Sequence, residues 1–182
     1  MLLLATLPAA AHAQDAPCPL VATSVVAQAV GAPVSGGIML DPLSNTPLDT
    51  GPNLTVCMFD TDNDTITVAR ELNAFGPNGL AGPAALALRQ LQLPLEAVAE
   101  IDALRQNGVS DIQLPSFQMS DASGLGDAAV WVYRSEPTLF FNSGGYFVQR
   151  GIDALVVSVT ADDEPTARIQ ATALAQSLLA AL

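Results

Sequence analysis

Hydrophobic and polar residues follow two different periods along this chain of 182 residues, and the two periods separate helices from strands. Apolar positions three and four apart, read together with proline and glycine, predict four helices. The first covers residues 20–30 and stops at Gly31, and the next two begin near Pro83 and Pro94. The last begins at Pro165, behind three acidic residues that suit the positive end of its dipole, and continues to the chain end.

Runs rich in β-branched and aromatic residues predict the strands. An edge strand is expected at residues 34–40, followed by a loop at 41–53 that is rich in proline, glycine and asparagine. An acidic turn joins two further runs, 54–59 and 65–72, into a predicted hairpin. The C-terminal third predicts a four-stranded meander whose middle strands are joined by a turn at Asn142-Ser143-Gly144-Gly145; its strands are 128–133, 138–141, 146–149 and 154–160.

Helices that stand apart from a mostly antiparallel sheet define an α+β fold. We expect about five to six strands, with the N-terminal, middle and C-terminal helices packed on the sheet. The chain has no Ser-rich linker, charge block or repeat that would divide it. Residues 14–182 are therefore predicted to form a single domain.

The N-terminal residues 1–13 have the pattern of a secretory signal peptide. They are apolar and end in Ala11-His12-Ala13, a small-x-small cleavage pattern, so cleavage is expected after Ala13. The stretch is too short to span a bilayer, and a lipid anchor on Cys18 is not expected because Asp15-Ala16-Pro17 precedes it. We predict a periplasmic or extracellular protein without a transmembrane segment.

Charge and composition exclude several classes of partner and enzyme. Eighteen acidic and six basic residues give a formal net charge of −12, and all six cations are arginines. Such a surface repels phosphate backbones, so nucleic acid is not an expected partner. The only histidine, His12, would leave with the signal peptide, which excludes triads, Cys-His dyads and Schiff-base chemistry. We expect no enzyme, no cofactor, and a partner that is a protein or small ligand; the oligomeric state stays open.

Cys18 and Cys57 are the only cysteines, and an exported chain meets an oxidising compartment. An even cysteine count there favours one disulfide, which would close a loop of 39 residues and tie the mature N-terminus to a strand. The alternative is a redox or metal pair. Two thiolates alone do not complete a zinc site, and the spacing is far from Cys-x-x-Cys.

Two acidic and glycine-rich motifs suggest ligands. Asp60, Asp62, Asp64 and Glu71 occupy positions 1, 3, 5 and 12 of a calcium-binding EF-hand loop. The sixth position is threonine rather than glycine and a β-rich run precedes the loop, so we favour an acidic hairpin turn over a metal site. Residues 124–129 match the dinucleotide fingerprint Gly-x-Gly-x-x-Ala, but a strand follows where a helix is needed. We interpret this segment as a turn that leads into a strand.

Six of the chain's nine aromatic residues lie between Trp131 and Phe147. Period-2 alternation places Trp131 and Tyr133 on one face of a strand. Core packing is the simpler interpretation, and the functional one is an aromatic platform for a ligand. We take Trp131, Tyr133 and Arg134 as candidate ligand-binding residues, with the Tyr133–Arg134 pair at a pocket rim.

The order of several motifs resembles a known group of proteins. These are Cys18-Pro19-Leu20 before a short helix, Gly31-Ala32-Pro33-Val34, Cys57-Met58-Phe59, Gly124-Leu125-Gly126-Asp127 before an aromatic strand, and an Ala/Leu-rich last helix. The chain resembles small exported bacterial domains of unknown function, many of them actinobacterial lipoproteins, with an α+β fold likened to PsbP and LpqN. The resemblance covers the chain from Cys18 onward. It implies a Cys18–Cys57 bridge and a sheet with helices, and it implies no catalytic residues.

These observations together predict an exported domain without catalytic activity, which serves as a binding or accessory module for a protein or small ligand. One alternative is a calcium-stabilised structural module built on the acidic turn. The other is a hydrolase of carboxylate type, although no carboxylate pair in the sequence is clearly opposed across a cleft.

Overall fold

The computed structural model describes residues 17–40, 53–114, 116–136 and 141–182. In these residues four helices and eight strands follow one another along the chain in the following order: α1 Thr23–Val30, β1 Ser35–Leu40, β2 Leu54–Asp60, β3 Thr65–Glu71, α2 Pro83–Leu91, α3 Leu95–Gln106, β4 Ile112–Leu114, β5 Phe117–Ala122, β6 Ala128–Glu136, β7 Phe141–Arg150, β8 Asp153–Thr160 and α4 Glu164–Ala181. The α+β class is confirmed. The predicted signal peptide and most of the predicted loop at 41–53 lie outside the described residues.

All eight strands form one sheet in the order β1-β2-β3-β8-β7-β6-β5-β4, and every neighbouring pair is antiparallel. The expected five to six strands is therefore too few. β1 is an edge strand, as predicted, and its register with β2 shifts between Gly36 and Ile38. β4, the opposite edge, has only three residues. β4 and β5 were missed although apolar and polar residues alternate in them, because β4 has only three residues and β5 contains no β-branched residue.

The turn predicted at residues 142–145 is wrong. These residues lie inside β7, where Gly144 pairs with Tyr133 and Gly145 with Val132. A Cβ at Gly144 would overlap the Trp131 ring, so this glycine provides space for an indole rather than a turn. Of the strand expected at 138–141, residues 138–140 lie outside the described residues.

The helices divide between the two faces of the sheet. α4 packs on β7 and β8, and α1 packs on α4; we call this side the first face. α2 packs on β6 and β7, and α3 belongs to the same apolar cluster; we call this side the second face. Each face has its own buried core, so the sheet is covered on both sides over part of its area.

Glycine, proline and one side-chain cap mark the ends of the helices. Gly31 ends α1 with a left-handed φ of 72°, which a side chain would strain. Pro83 is the first residue of α2, and Pro94 directly precedes the first residue of α3. Asp163 caps α4 by accepting a hydrogen bond from the Thr166 backbone N–H at 2.8 Å.

Candidate functional site

Three rows of side chains cross the second face, and they change character from one end of the sheet to the other. The row under α2 and α3 is apolar and consists of Ala69, Val156, Phe147 and Val130. The next row, two residues further along each strand, contains Thr67, Ser158, Gly145 and Val132. The third row contains Thr65, Thr160, Ser143 and Arg134. Hydroxyls thus replace aliphatic side chains in the same strands, beside the C-terminal end of α2, where Gln90 and Leu91 line the same recess.

We call Thr65, Thr67, Ser143, Ser158 and Thr160 the hydroxyl patch. The backbone explains its placement, because side chains two residues apart on a strand lie on the same face. All five residues are half-buried. The patch lies at the sheet end that also contains the β2–β3 turn at 61–64 and the loop at 161–163 between β8 and α4.

Two recesses meet on this patch. The larger, of about 890 Å³, is lined by neutral polar side chains and two carboxylates: Asn63, Asp64, Thr65, Thr67, Ser135, Asn142, Ser158, Thr160 and Asp162, with Ala161. The smaller, of about 230 Å³, shares Thr67 and Ser158 with it and extends to Gln90, Leu91 and Arg134. A groove of this size and polarity is able to hold several hydrogen-bonding groups of a ligand.

Hydrogen bonds hold the floor and the rim of the groove. Thr160 Oγ1 accepts from the Thr65 backbone N–H at 2.6 Å and donates to the Thr65 carbonyl at 3.2 Å, so a side chain completes the β3–β8 pairing. Ser135 Oγ donates to Asn142 Oδ1 at 2.8 Å, and Asn142 Nδ2 donates to the Asp162 carbonyl at 2.9 Å. The protein's own hydrogen bonds therefore hold the rim in place.

Charge is distributed unevenly along the groove. Burial raises the pKa of the Asp64 carboxyl, and the negative charge of Asp162 raises this pKa further. Arg134 lies on β6, which β7 and β8 separate from β3. The Asp64 end of the groove is thus acidic, and Arg134 lies at the opposite end.

The structure separates the candidate ligand-binding residues of the aromatic strand. Trp131 is only 1% exposed and lies in the core of the first face. Its Nε1–H donates to Glu164 Oε1 at 3.0 Å, and the Arg168 guanidinium lies 4.8 Å from its ring centroid. Tyr133 is half-buried on the same face. Burial, followed by the charges of Glu164 and Asp163, raises the pKa of its hydroxyl.

Arg134 is exposed and contributes to the groove on the second face. The three candidate residues therefore do not share one surface, and the tryptophan packs as a core residue. A binding role for Tyr133 or Arg134 stays a prediction.

The four acidic residues of the calcium hypothesis are also distributed over two places. Asp60 and Asp64 flank the β2–β3 turn that contains Asp62, whereas Glu71 lies at the other end of β3. Six residue steps along β3 separate Glu71 from Thr65, a length of about 20 Å. Glu71 instead pairs with Arg89 of α2. In the described ranges no group of three or more His, Cys, Asp or Glu residues is placed to hold a metal ion.

The two cysteines are joined, as predicted. A disulfide links Cys18 and Cys57, whose Cα atoms are 5.6 Å apart. Cys57 is fully buried on the first face, in the middle of β2. The bridge therefore attaches the segment before α1 to the same core that holds α4.

The segment that matches the dinucleotide fingerprint forms bends at 124–127 and leads directly into β6, as expected from the sequence. The Asp127 backbone N–H donates to the Gln149 carbonyl at 2.8 Å. Asp127 also accepts a hydrogen bond from the Gly151 backbone N–H at 2.6 Å through its carboxylate. These hydrogen bonds attach the loop before β6 to the end of β7 and to the β7–β8 turn.

The sequence alone did not reveal the hydroxyl patch. Its members come from β3, β7 and β8; the threonines and Ser158 are isolated hydroxyls within β-rich runs, and Ser143 lies in the segment that the sequence predicts as a turn. The only local signal is alternation within β8, where Ser158 and Thr160 share the face of Ala154 and Val156. The register between β3 and β8, 83 to 95 residues apart, brings the hydroxyls together.

No family model and no curated protein matches this chain. Among solved structures, the chain is similar to the extracellular domain of PknH from Mycobacterium tuberculosis, at 10% sequence identity and a TM-score of 0.37. That similarity covers 87% of this chain and 91% of the other. We base no argument on a similarity at that score, and the resemblance to exported bacterial domains stays a prediction.

In the described parts of the chain, no helix is both long and apolar enough to cross a membrane.

Proposed function

We propose that this protein is an exported, non-catalytic binding domain that takes a polar ligand on the hydroxyl patch. The observation that carries the proposal is the change from aliphatic to hydroxyl side chains within the same strands, where the covering helices end. Hydroxyl groups both donate and accept hydrogen bonds, which suits a ligand rich in amide or hydroxyl groups. The groove of about 890 Å³ supplies the space.

The disulfide supports export. Cys18 and Cys57 are the only cysteines in the sequence and they are paired. Disulfides form and persist mainly in oxidising compartments. Together with the small-x-small pattern at Ala11-His12-Ala13, this favours a periplasmic or extracellular location. Mass spectrometry of the protein from the native envelope should find Gln14 as the first residue and no free thiol. A chain that retains its first 13 residues, or that has two free thiols, would contradict export.

The chemistry of the groove supports a role without catalysis. The sequence has no lysine and its one histidine is His12, within the predicted signal peptide. The patch hydroxyls therefore have no imidazole or amine to activate them as nucleophiles. Binding through fixed hydrogen bonds needs no such base.

Binding at the patch can be tested by amide chemical-shift mapping of ¹⁵N-labelled protein. The probes are chitobiose and two blocked pentapeptides, acetyl-GGKGG-amide and acetyl-GGQGG-amide. We expect at least one probe to shift the amides around Thr67 and Ser158, and the variant Thr67→Val with Ser158→Ala to abolish those shifts. The control is Ser110→Ala with Ser177→Ala, which removes two exposed hydroxyls elsewhere. Shifts confined to other surfaces, or no shift with any probe, would refute the proposed site.

One observation favours a second candidate, a hydrolase of carboxylate type. Asp64 and Asp162 both line the groove, and the pKa of Asp64 is raised. A carboxyl with a raised pKa can act as the general acid of glycoside hydrolysis, with a second carboxylate as base or nucleophile. Hydrolysis of nitrophenyl glycosides that is lost in both Asp64→Asn and Asp162→Asn would favour this candidate. Activity that survives in either variant, or no activity at all, would count against it.

A further inference from the structure

We propose that Asn107, at the C-terminal end of α3, is a site of spontaneous deamidation, and that tertiary packing protects Asn78 from the same reaction. In the sequence each of these asparagines directly precedes a glycine, Gly108 and Gly79 respectively. All four residues are exposed. The proposal concerns the end of a helix on the second face and is independent of ligand binding at the hydroxyl patch.

The chemistry of an Asn-Gly pair makes it reactive. The backbone nitrogen of the glycine attacks the side-chain carbonyl carbon of the asparagine, and a C–N bond forms while the amide nitrogen leaves as ammonia with the proton of the attacking nitrogen. The cyclic imide then takes up one water molecule and opens to aspartate or isoaspartate. A glycine has no Cβ to hinder the attack, and its backbone is free to rotate. The reaction requires the glycine N–H to leave any hydrogen bond that it makes.

Packing holds the backbone around Gly79. Its N–H donates to the Gly76 carbonyl at 2.8 Å, and a Cβ at Gly79 would overlap the Ala74 carbonyl oxygen. Ala74 is buried in the core of the second face, and Leu80 packs against the same core. The Leu80 N–H donates to the Ala74 carbonyl at 2.8 Å. A movement of Gly79 toward the Asn78 side chain would therefore disturb two residues of that core.

The end of α3 is held less firmly. The Gly108 N–H donates to the Arg105 carbonyl at 2.9 Å, but Gly108 itself is exposed and a Cβ on it would meet no atom within 4 Å. The Asn107 side chain donates from Nδ2 to the Ala103 carbonyl at 2.8 Å, and this hydrogen bond is exposed as well. Only the last turn of the helix has to open before the attack, and exposed hydrogen bonds at helix ends open at low free-energy cost.

The product would weaken the same turn. A carboxylate at position 107 places an oxygen where the Nδ2 donor now faces the Ala103 carbonyl, and it adds a negative charge at the negative end of the helix dipole. We expect Asn107→Asp, which reproduces one product, to unfold at a lower temperature than Asn78→Asp, which lies outside the helices. Equal melting temperatures would overturn this part of the proposal.

The test is a time course of the folded protein in mildly alkaline buffer, with aspartate and isoaspartate at each position quantified by mass spectrometry of the digest. We expect Asn107 to convert at least about tenfold faster than Asn78, because its local opening costs less free energy. In concentrated urea, where packing no longer holds either backbone, the two rates should converge. The proposal is overturned if Asn78 converts as fast as Asn107 in the folded protein, or if Asn107 stays intact while the urea sample converts.

The variant Leu80→Ala tests the reason for the difference. Loss of this side chain from the core should free the segment around Gly79 and raise the Asn78 rate, while the Asn107 rate in the same molecule stays unchanged. The matched control is Leu95→Ala, which removes a leucine that is 83% exposed and should leave both rates unchanged. A rise at both positions in Leu80→Ala, or at neither, would overturn the explanation by packing.

Discussion

The two faces of the sheet share the same strands but differ in how far helices cover them. On the first face, α4 follows β7 and β8 with α1 behind it, and the core extends to Val159 and Ala161 at the end of β8. On the second face, α2 and α3 cover the rows around Phe147 and Val156, and α2 ends at Gln90 and Leu91 beside the hydroxyl patch. The difference shows that the hydroxyls are not a general property of this sheet. They occupy the part of the second face where α2 ends.

We therefore expect the helix-covered cores to carry the stability of the molecule, and the hydroxyl patch at the end of the second face to carry ligand binding. Substitutions in the first core should lower the free energy of unfolding without any selective effect on the patch. Substitutions in the patch should leave that free energy almost unchanged. Four stability measurements test this division.

The largest effect is expected from the disulfide. Replacing both Cys18 and Cys57 by alanine should lower the free energy of unfolding by about 4 kcal/mol, because the bridge closes a loop of 39 residues. Urea denaturation followed by the fluorescence of the single tryptophan, Trp131, measures it. A loss below about 1 kcal/mol would show that the N-terminal segment is held to the first face by packing alone.

The next effect concerns α4. Leu174 is fully buried on the first face, so Leu174→Ala should cost about 3 kcal/mol of unfolding free energy. Ile169 lies on the same helix but is 71% exposed, and Ile169→Ala should change the stability by less than about 0.5 kcal/mol. Similar losses in the two variants would mean that α4 does not cover the sheet as described.

A smaller effect is expected at the start of α4. Glu164→Ala would leave the buried Nε1–H of Trp131 without an acceptor and should cost about 1–2 kcal/mol. Glu164→Gln keeps an oxygen at that place and should recover at least half of the loss. A red shift of tryptophan emission in the alanine variant alone would confirm that the indole is affected. Equal behaviour of both variants would instead point to the charge of Glu164.

The smallest effect should have the opposite sign. The pKa of Asp64 is higher in the folded protein than in a free chain, so its ionisation opposes folding as the pH rises through that pKa. Asp64→Asn should therefore raise the unfolding free energy at pH 7, by less than about 0.5 kcal/mol. The gain should disappear below about pH 4, where the carboxyl is protonated in both states. Asp111→Asn is the control, and a loss of stability in Asp64→Asn at pH 7 would contradict the argument.

Local signals were sufficient for much of the fold. Proline at positions 83 and 94, Gly31 and the acidic residues before Pro165 each mark a helix end through local geometry, and all four helices form where they were expected. The β2–β3 hairpin and the edge position of β1 also follow from local patterns.

The features that local signals missed depend on contacts between residues far apart in the sequence. The sequence Asn142-Ser143-Gly144-Gly145 is typical of a hairpin turn, but a strand passes through it because Gly144 provides space for the Trp131 ring. The hydroxyl patch depends on the pairing of β3 with β8, which no local motif encodes. The disulfide partner could be predicted only because the chain has two cysteines.

The two edges of the sheet have a consequence for behaviour at high concentration. A straight, exposed edge strand can recruit a strand from another molecule and start aggregation. Here the β1 edge is interrupted at Gly36 and Ile38, and the β4 edge offers only three residues. Both edges are thus poor templates for intermolecular pairing, which would help the protein stay monodisperse at high concentration.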